Sequence, residues 1–401
     1  MFLTAVTQRD RLFDVAMHWL NGRVGPGDGR FLTEAFLLDH AITAPLVARF
    51  FLEVTALLGS GDTRVNRLRT KDGVRRQIIA GWRTPSQRAL ELFALYRSRE
   101  ETFFPATPVD LLAMTRGDGE LVAMMRFKRL QRIAEKAARR VVDRVDHEVM
   151  RRLGCVGGHE TRTSARDLSH ELVAATEQEV CRDYGTGAIA FTHQELRVGD
   201  VIGAKLIGNE QNLARIETAI SSHSEVVSVH RSEHRGVYND VQLEVELRCP
   251  SAGTTVDRLR AGDWMAARER GLDPESLRRN IPSYVEGGAQ SFFIEILLTT
   301  WPELVESEFG RALHEERIVR MRFNPRYTGQ LGTTVALATM YLMLVAISPV
   351  TVIDELPFRM SGRYLPESLV ASVAELFGLS FARSPFWIPE PSDVRSDWHV
   401  S

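Results

Sequence analysis

The sequence predicts an α+β fold, in which a mixed sheet with helices is flanked by helical N- and C-terminal segments. Apolar residues recur at helical spacing through most of residues 1–115. Short apolar or alternating runs, typical of strands, begin at Asp200. An uncharged segment from Tyr327 to Ile353 then returns to helical character. The 401 residues, 44% of them hydrophobic, are enough to bury a large core without disulfides or structural metals.

Composition narrows the functional classes. The net charge of −2 argues against a polycation that binds DNA, so any phosphate binding must come from local clusters of basic residues. The three cysteines, Cys155, Cys181 and Cys249, are sparse and lack zinc-knuckle spacing, which favours a reducing compartment. The first residues lack a signal-peptide pattern. We therefore expect a cytoplasmic protein.

The N-terminal region, residues 1–115, is predicted to be helical. One helix is expected to begin near Phe31 and to end at Gly59, and a second runs from Arg88 to Ser98. The prolines in FFPATPVD indicate a linker before the next unit. We expect that unit, the core, to span residues 116–325, and residues 326–401 to form an apolar helix and an irregular tail.

The core alternates between helical and strand patterns. Helices are predicted at 120–153, 164–184, 212–221 and 302–316, and strands at Asp200–Ile207, Glu225–His230, Val241–Arg248 and Phe292–Leu298. The mixture predicts a sheet with helical insertions.

The apolar run from Leu331 to Ile347 admits two interpretations. A membrane-spanning helix needs about 20 apolar residues. Threonines such as Thr333 and Thr339 dilute the run, and Pro349 ends its helical part. The pattern favours a buried core helix over membrane association, and a membrane anchor is the alternative.

Basic residues are concentrated at the start of the predicted helix 120–153. Between Arg126 and Arg140 there are seven basic residues and one acidic residue, Glu135. Like charges four residues apart destabilise a helix by a few tenths of a kcal/mol per pair. A polyphosphate would offset that repulsion, because arginine forks bind phosphate oxygens. The alternative is a solvated basic face.

Two carboxylates lie on predicted strands. Asp200 begins one, and Glu295 lies inside an apolar strand, where alternation places it on the face of Phe293 and Leu297. A carboxylate in such a strand is costly unless it is compensated. Two acidic side chains on neighbouring strands can hold Mg²⁺ together with substrate phosphates. The alternative for each is a salt bridge to an arginine.

The order of these motifs resembles the synthetase domain of the RelA/SpoT family, which makes (p)ppGpp alarmones on a nucleotidyltransferase-like sheet. The resemblance covers about residues 120–325. Its motifs are the basic segment, the Asp200-Val-Ile-Gly-Ala-Lys205 strand, the Tyr238-Asn-Asp-Val-Gln242 loop, the Ile294-Glu295-Ile-Leu-Leu-Thr299 strand and a helix with His314.

The resemblance implies roles for residues that match the family pattern. Asp200 and Glu295 would be catalytic and would hold Mg²⁺. Tyr238, Gln242 and His314 would bind the acceptor. The residues implied to bind ATP are Arg126, Lys128, Arg132, Lys136, Arg139 and Lys205. The implied reaction is ATP- and Mg²⁺-dependent pyrophosphoryl transfer to the 3′-hydroxyl of a nucleotide or of an RNA end.

The sequence also departs from the family pattern. Arg132 replaces a serine, Lys205 an arginine and Leu297 a glutamine, while Asp240 and Gln242 replace the serine and histidine of the loop. These departures leave two alternatives open. One is a toxin-like relative that modifies adenine nucleotides or tRNA. The other is a nucleotide-binding or interaction module without activity.

Overall fold

A computed structural model describes residues 8–20, 23–57, 63–128, 130–154, 170–192, 198–199, 201–236, 239–311, 313 and 330–353. Within them the chain forms a seven-stranded mixed sheet and 12 α-helices. The predicted α+β class is confirmed.

The sheet is mixed because one neighbouring pair of strands is parallel. The strands are β1 (Arg64–Thr70), β2 (Pro108–Thr115), β3 (Leu121–Phe127), β4 (Ile202–Ile207), β5 (Val226–His234), β6 (Asp240–Arg248) and β7 (Ser291–Thr299). Their spatial order is β1-β2-β3-β4-β7-β6-β5. The pair β4 and β7 is parallel, and the other neighbours are antiparallel. The strand predicted from Asp200 therefore lies beside the strand that carries Glu295.

Helices cover both sides of this sheet. They are α1 (Arg9–Leu20), α2 (Asp28–Ala56), α3 (Lys71–Gly81), α4 (Gln87–Ser98), α5 (Leu130–Arg152), α6 (His170–Thr186), α7 (Glu210–Ser222), α8 (Ala252–Ala261), α9 (Met265–Glu269), α10 (Pro274–Glu286), α11 (Trp301–Phe309) and α12 (Gln330–Ile347). Polar side chains cap several of them; Thr70, for example, accepts a hydrogen bond from the Gly73 amide and so sets where α3 begins.

The two faces of the sheet have different surroundings. The face that carries Met125, Ala204 and Ile296, called the core face below, packs into the larger hydrophobic core with α2, α5 and α12. The opposite face, called the site face, carries Met124 and Ile207. Near these two residues a second, smaller core of α3, α4 and α11 covers it. The rest of the site face is polar and holds the charged residues described below.

The helix predicted at 302–316 ends earlier, at Phe309, with Gly310 as its C-cap. The start of the helix predicted at 120–153 was also wrong. Residues from Leu121 to Phe127 form β3, and the helix begins only at Leu130. Gly119, with φ of +86°, closes a hairpin in which β3 pairs with β2. The run LVAMMRF contains good helix formers, but pairing with β2 and β4 overrides that local preference.

The expectation of a helical region over residues 1–115 also needs correction. α2 and α4 match the predicted helices closely, but β1 and β2 come from this region and belong to the sheet. The proline-containing segment that was interpreted as a linker runs directly into β2 at Pro108. The first 115 residues thus supply two strands and the helices of the second core.

The apolar helix near residue 340 is buried on every described side. Residues Val335 to Ala346 of α12 are all buried, in contact with α2 and α5. This matches the prediction of a core helix. By length and composition one described helix, α2, could cross a membrane, and 72% of its most apolar window is buried inside the protein.

Candidate functional site

The candidate site is centred where β4 and β7 run side by side. Gly203 of β4 lies opposite Glu295 of β7, and Arg126 of β3 lies opposite Gly203 on the other side. The three positions therefore share one row across the site face. A Cβ atom on Gly203 would lie 3.4 Å from Glu295 Oε2, which is an ordinary contact distance, so the carboxylate lies directly beside this position of β4. The predicted alternation of β7 is confirmed, since Ile294 and Ile296 are fully buried on the core face.

Glu295 is a buried carboxylate that both a cation and an amide contact. It is 8% exposed; Lys128 Nζ lies 3.4 Å from Oε2, and Gln242 Nε2 donates to Oε1 at 3.0 Å. Burial raises the pKa of Glu295, but attraction to Lys128, Lys136 and Arg126 outweighs it, and the net pKa is lowered. Glu295 is therefore an anion in a cationic setting.

Two lysines approach Glu295 from the start of α5. Lys128 lies in the connection between β3 and α5, and its amide donates to the Val201 carbonyl at 2.8 Å. Burial lowers the pKa of Lys128 to about 8, although Glu295 opposes this. Burial and the charge of Lys128 lower the pKa of Lys136 to about 6. With a pKa of about 6, Lys136 is mostly neutral at pH 7, and an anion bound beside it would raise that pKa and add a positive charge to those of Arg126 and Lys128. This side of Glu295 therefore favours an anionic ligand.

The remaining basic residues of this segment behave differently from the prediction of one continuous basic helical face. Arg126 is on a strand and Lys128 precedes the helix, so only the later members lie on α5. Arg132 pairs with Glu135 on the same helix. The side chain of Arg139 is 59% exposed and lies 3.5 Å from Asp143, which is typical of a solvated ion pair.

Lys205 lies two residues beyond Gly203 on the same face of β4, opposite Met124 and Leu297. Its Nζ is 3.9 Å from Glu308 Oε1 on α11, and Lys71 Nζ is 2.9 Å from Glu308 Oε2. Burial lowers the pKa of Lys205 to about 8, against the attraction of Glu308. Lys205 therefore joins Arg126 on the site face but has its own carboxylate partner.

The β6 side of the site is acidic. The side chain of Asp240 is 1% exposed and pairs with His234 Nδ1 at 2.6 Å, while the neighbouring Asn239 amide contacts Glu303. Glu244 lies opposite Glu295 in the next strand. The candidate acceptor residue Gln242 thus lies between carboxylates, whereas Arg126, Lys128 and Lys136 surround the other side of Glu295.

Three predicted site residues, Asp200, Tyr238 and His314, lie outside the described residues. Among described residues there is no group of three or more His, Cys, Asp or Glu that could hold a metal by itself. A Mg²⁺ ion commonly uses one or two carboxylates plus phosphate oxygens. The ionised carboxylate of Glu295 fits such a donor set, provided that Lys128 gives way to the ligand.

Sequence reasoning missed Glu308 and Lys71, although one signal could have found Lys71. Lysine and arginine together number 50, and only four of them are lysines: Lys71, Lys128, Lys136 and Lys205. Every one of the four belongs to the Glu295 or the Glu308 cluster. Lysine is a compact point charge whose pKa shifts on burial, whereas arginine stays charged.

Comparisons with known protein families, with curated proteins and with solved structures found no match. The functional argument therefore depends on the geometry of the site and on the order of its motifs.

Proposed function

We propose that this protein is an ATP- and Mg²⁺-dependent diphosphotransferase, a nucleotide pyrophosphokinase that transfers a pyrophosphoryl group to a 3′-hydroxyl. The observation that carries the proposal is the setting of Glu295. An ionised, buried carboxylate lies beside Gly203, with Arg126, Lys128 and Lys136 near it. Polyphosphate binding would neutralise the cations, and the carboxylate would serve the metal and the attacking hydroxyl.

The strand order supports the proposal. The RelA/SpoT-like motifs of β4 and β7 are far apart in the chain, yet the two strands are parallel neighbours. Gln242, from the loop-and-strand motif, donates a hydrogen bond to Glu295 from β6. Three motifs that were linked only by their order therefore meet at one carboxylate.

The reaction would proceed as follows. The 3′-oxygen of the acceptor attacks the β-phosphorus of ATP, forming a new P–O bond while the bond between the α,β-bridging oxygen and the β-phosphorus breaks. AMP leaves with that electron pair, and the hydroxyl proton passes to Glu295 or to solvent. When bound, Mg²⁺ supplies charge neutralisation at the phosphates. Arg126, Lys128 and Lys136 hold the phosphates, since positioning and electrostatics dominate this chemistry.

Charge on the β6 side bears on the acceptor. Asp240 and Glu244 would repel a phosphate group placed beside Gln242. An acceptor whose ribose end carries few charges suits this side better than a nucleoside triphosphate. The toxin-like alternative includes adenine nucleotides and tRNA as acceptors. Of these, the 3′ end of tRNA, whose last ribose carries one phosphodiester charge, suits this charge pattern better.

Labelled ATP with Mg²⁺ and a panel of GDP, GTP, ADP, ATP and tRNA tests the proposal. We expect AMP and a 3′-modified product from at least one acceptor. Replacing Glu295 with Gln should lower the rate by at least about a hundredfold, because one aligned electrostatic group is removed. Glu233→Gln, the same change of a carboxylate to an amide in ion pairs on the edge strand β5, is the matched control and should keep the activity.

The non-catalytic alternative has a distinct outcome. If calorimetry detects ATP binding but no acceptor releases AMP, the protein is a nucleotide-binding module and the transferase proposal is wrong. If ATP neither binds nor reacts, both readings are wrong.

A further inference from the structure

The Glu308 cluster is a second buried charge group, and the family resemblance assigned only its Lys205. It joins three elements: Lys71 begins α3, Glu308 lies near the end of α11, and Lys205 lies on β4. All three side chains are at most 15% exposed. The cluster of one buried carboxylate and two lysines has a net positive charge. Burying an uncompensated charge destabilises the fold, so its presence calls for a functional explanation.

The carboxylate of Glu308 is held firmly in place. Lys71 Nζ makes the shorter contact to it, at 2.9 Å, whereas Lys205 Nζ lies 3.9 Å away. Arg75, which is fully buried, donates to the Glu308 carbonyl at 2.9 Å and to the carbonyl of Phe103. Glu308 therefore has a fixed position, and Lys205 is its looser partner.

The location of Lys205 gives the cluster a connection to the candidate site. Lys205 and Gly203 alternate onto the same face of β4, and Gly203 lies between Arg126 and Glu295. The charged groups that act on Lys205 are Glu308 from α11, Arg126 from β3, Lys71 from α3 and Asp240 from β6. Lys205 therefore lies two residues along β4 from Gly203, next to the row formed by Arg126, Gly203 and Glu295.

We propose that Glu308 is a positioning residue: shared between Lys71 and Lys205, it keeps the Lys205 ammonium charged and aligned with Arg126 toward the phosphates of ATP. The ATP part rests on the proposed function. Lys71 holds the carboxylate next to α3, a helix of the second core. The position and charge of Lys205 therefore depend on how that core packs.

The expected consequence follows from burial. Burial pulls the pKa of Lys205 down to about 8, and Glu308 limits that fall. Without the carboxylate, the pKa of Lys205 would be lower still, and the amine would be neutral at pH 8. A neutral Lys205 gives no electrostatic attraction to phosphate, whereas at pH 6 it regains its proton.

The small number of lysines makes a direct test possible. A sample with isotope-labelled lysine side chains should give four Nζ or Cε signals by NMR, and Lys205→Arg identifies the signal of Lys205. We expect its titration midpoint to fall in Glu308→Gln. In Lys71→Met, which leaves Glu308 to Lys205 alone, the midpoint should rise. The two opposite shifts keep the test decisive if one variant does not fold.

ATP binding supplies the second measurement. We expect Glu308→Gln to weaken Mg-ATP binding about fivefold at pH 8, because a one-unit fall in pKa from about 8 lowers the charged fraction of Lys205 from about one half to about one tenth, and to have almost no effect at pH 6. The double variant Glu308→Gln/Lys205→Arg should restore binding at pH 8, because arginine stays charged. A purely structural role for Glu308 would be neither pH-dependent nor rescued.

The outcomes separate the two proposals. An unchanged Lys205 midpoint in both variants would overturn the positioning role, even if the wild type binds and transfers ATP. If the midpoints shift in a protein that does not bind ATP, Glu308 does keep Lys205 charged. The absence of ATP binding would then overturn the proposed function and the ATP part of this inference.

Discussion

The two faces of β7 differ sharply in what they bury. Ile294 and Ile296 on the core face are fully buried among apolar side chains. One position away, Glu295 on the site face is nearly as buried but contacts Lys128 and Gln242. The core face gains stability from hydrophobic burial, whereas the site face bears the desolvation of charges. A single strand can therefore stabilise the fold on one side and hold a charged site on the other.

The largest effect should come from the core face. Ile296→Ala should lower the free energy of unfolding by about 3 kcal/mol, because it leaves a cavity in a close-packed core. The neighbouring Leu297→Ala, on the half-buried site face, should cost less than half as much. Urea denaturation of both variants measures the contrast, and equal losses would refute the distinction between the faces.

A histidine of the core side should make the fold acid-sensitive. Burial, followed by repulsion from Arg270, lowers the pKa of His40 on α2 to about 3. Since the unfolded chain binds this proton more readily, stability is complete above about pH 6.5 and falls as pH drops toward 3. We expect a loss of about 2 kcal/mol at pH 5, from a pKa near 6.5 in the unfolded chain and about 3 in the folded protein. Denaturation at pH 7 and pH 5 should show a smaller loss in His40→Gln; an identical loss would exclude His40 as the cause.

On the site face, removal of a buried basic group should stabilise the ligand-free protein. Lys136 must lose its proton on folding at neutral pH, because its pKa falls to about 6, and Lys136→Met removes that cost while leaving the contact of Lys128 with Glu295. We expect the free energy of unfolding to rise by up to about 1 kcal/mol, as for other buried charges replaced by apolar groups. ATP binding should weaken in the same variant. A destabilised protein with unchanged ATP affinity would contradict a ligand-binding role for Lys136.

The smallest effect should come from outside both faces. Arg139→Gln breaks an exposed pair with Asp143 and should change stability by less than about 0.5 kcal/mol. It should leave ATP affinity unchanged, as measured by calorimetry. A clear loss of affinity would restore the prediction that the whole basic segment binds phosphate.

Several features were predictable because they depend on local patterns. The helical spacing in α2 and α4 and the alternation around Glu295 each predicted an element that the structure contains. The strand β3 was not predictable in this way, because its leucine, alanine and methionine residues also favour helix. Its strand conformation depends on pairing with β2 and β4, which lie elsewhere in the chain.

The sequence by itself determined that the chain is α+β, that Glu295 is a carboxylate inside an apolar strand, and that lysine occurs at only four positions. Only the tertiary structure decided which lysines lie beside Glu295 and which lie beside Glu308. Lys128 meets Glu295 across 167 residues of chain, and Lys71 meets Glu308 across 237. No local periodicity encodes such contacts, because strand order and helix docking bring the partners together. Burial then makes each charge depend on the partner it meets.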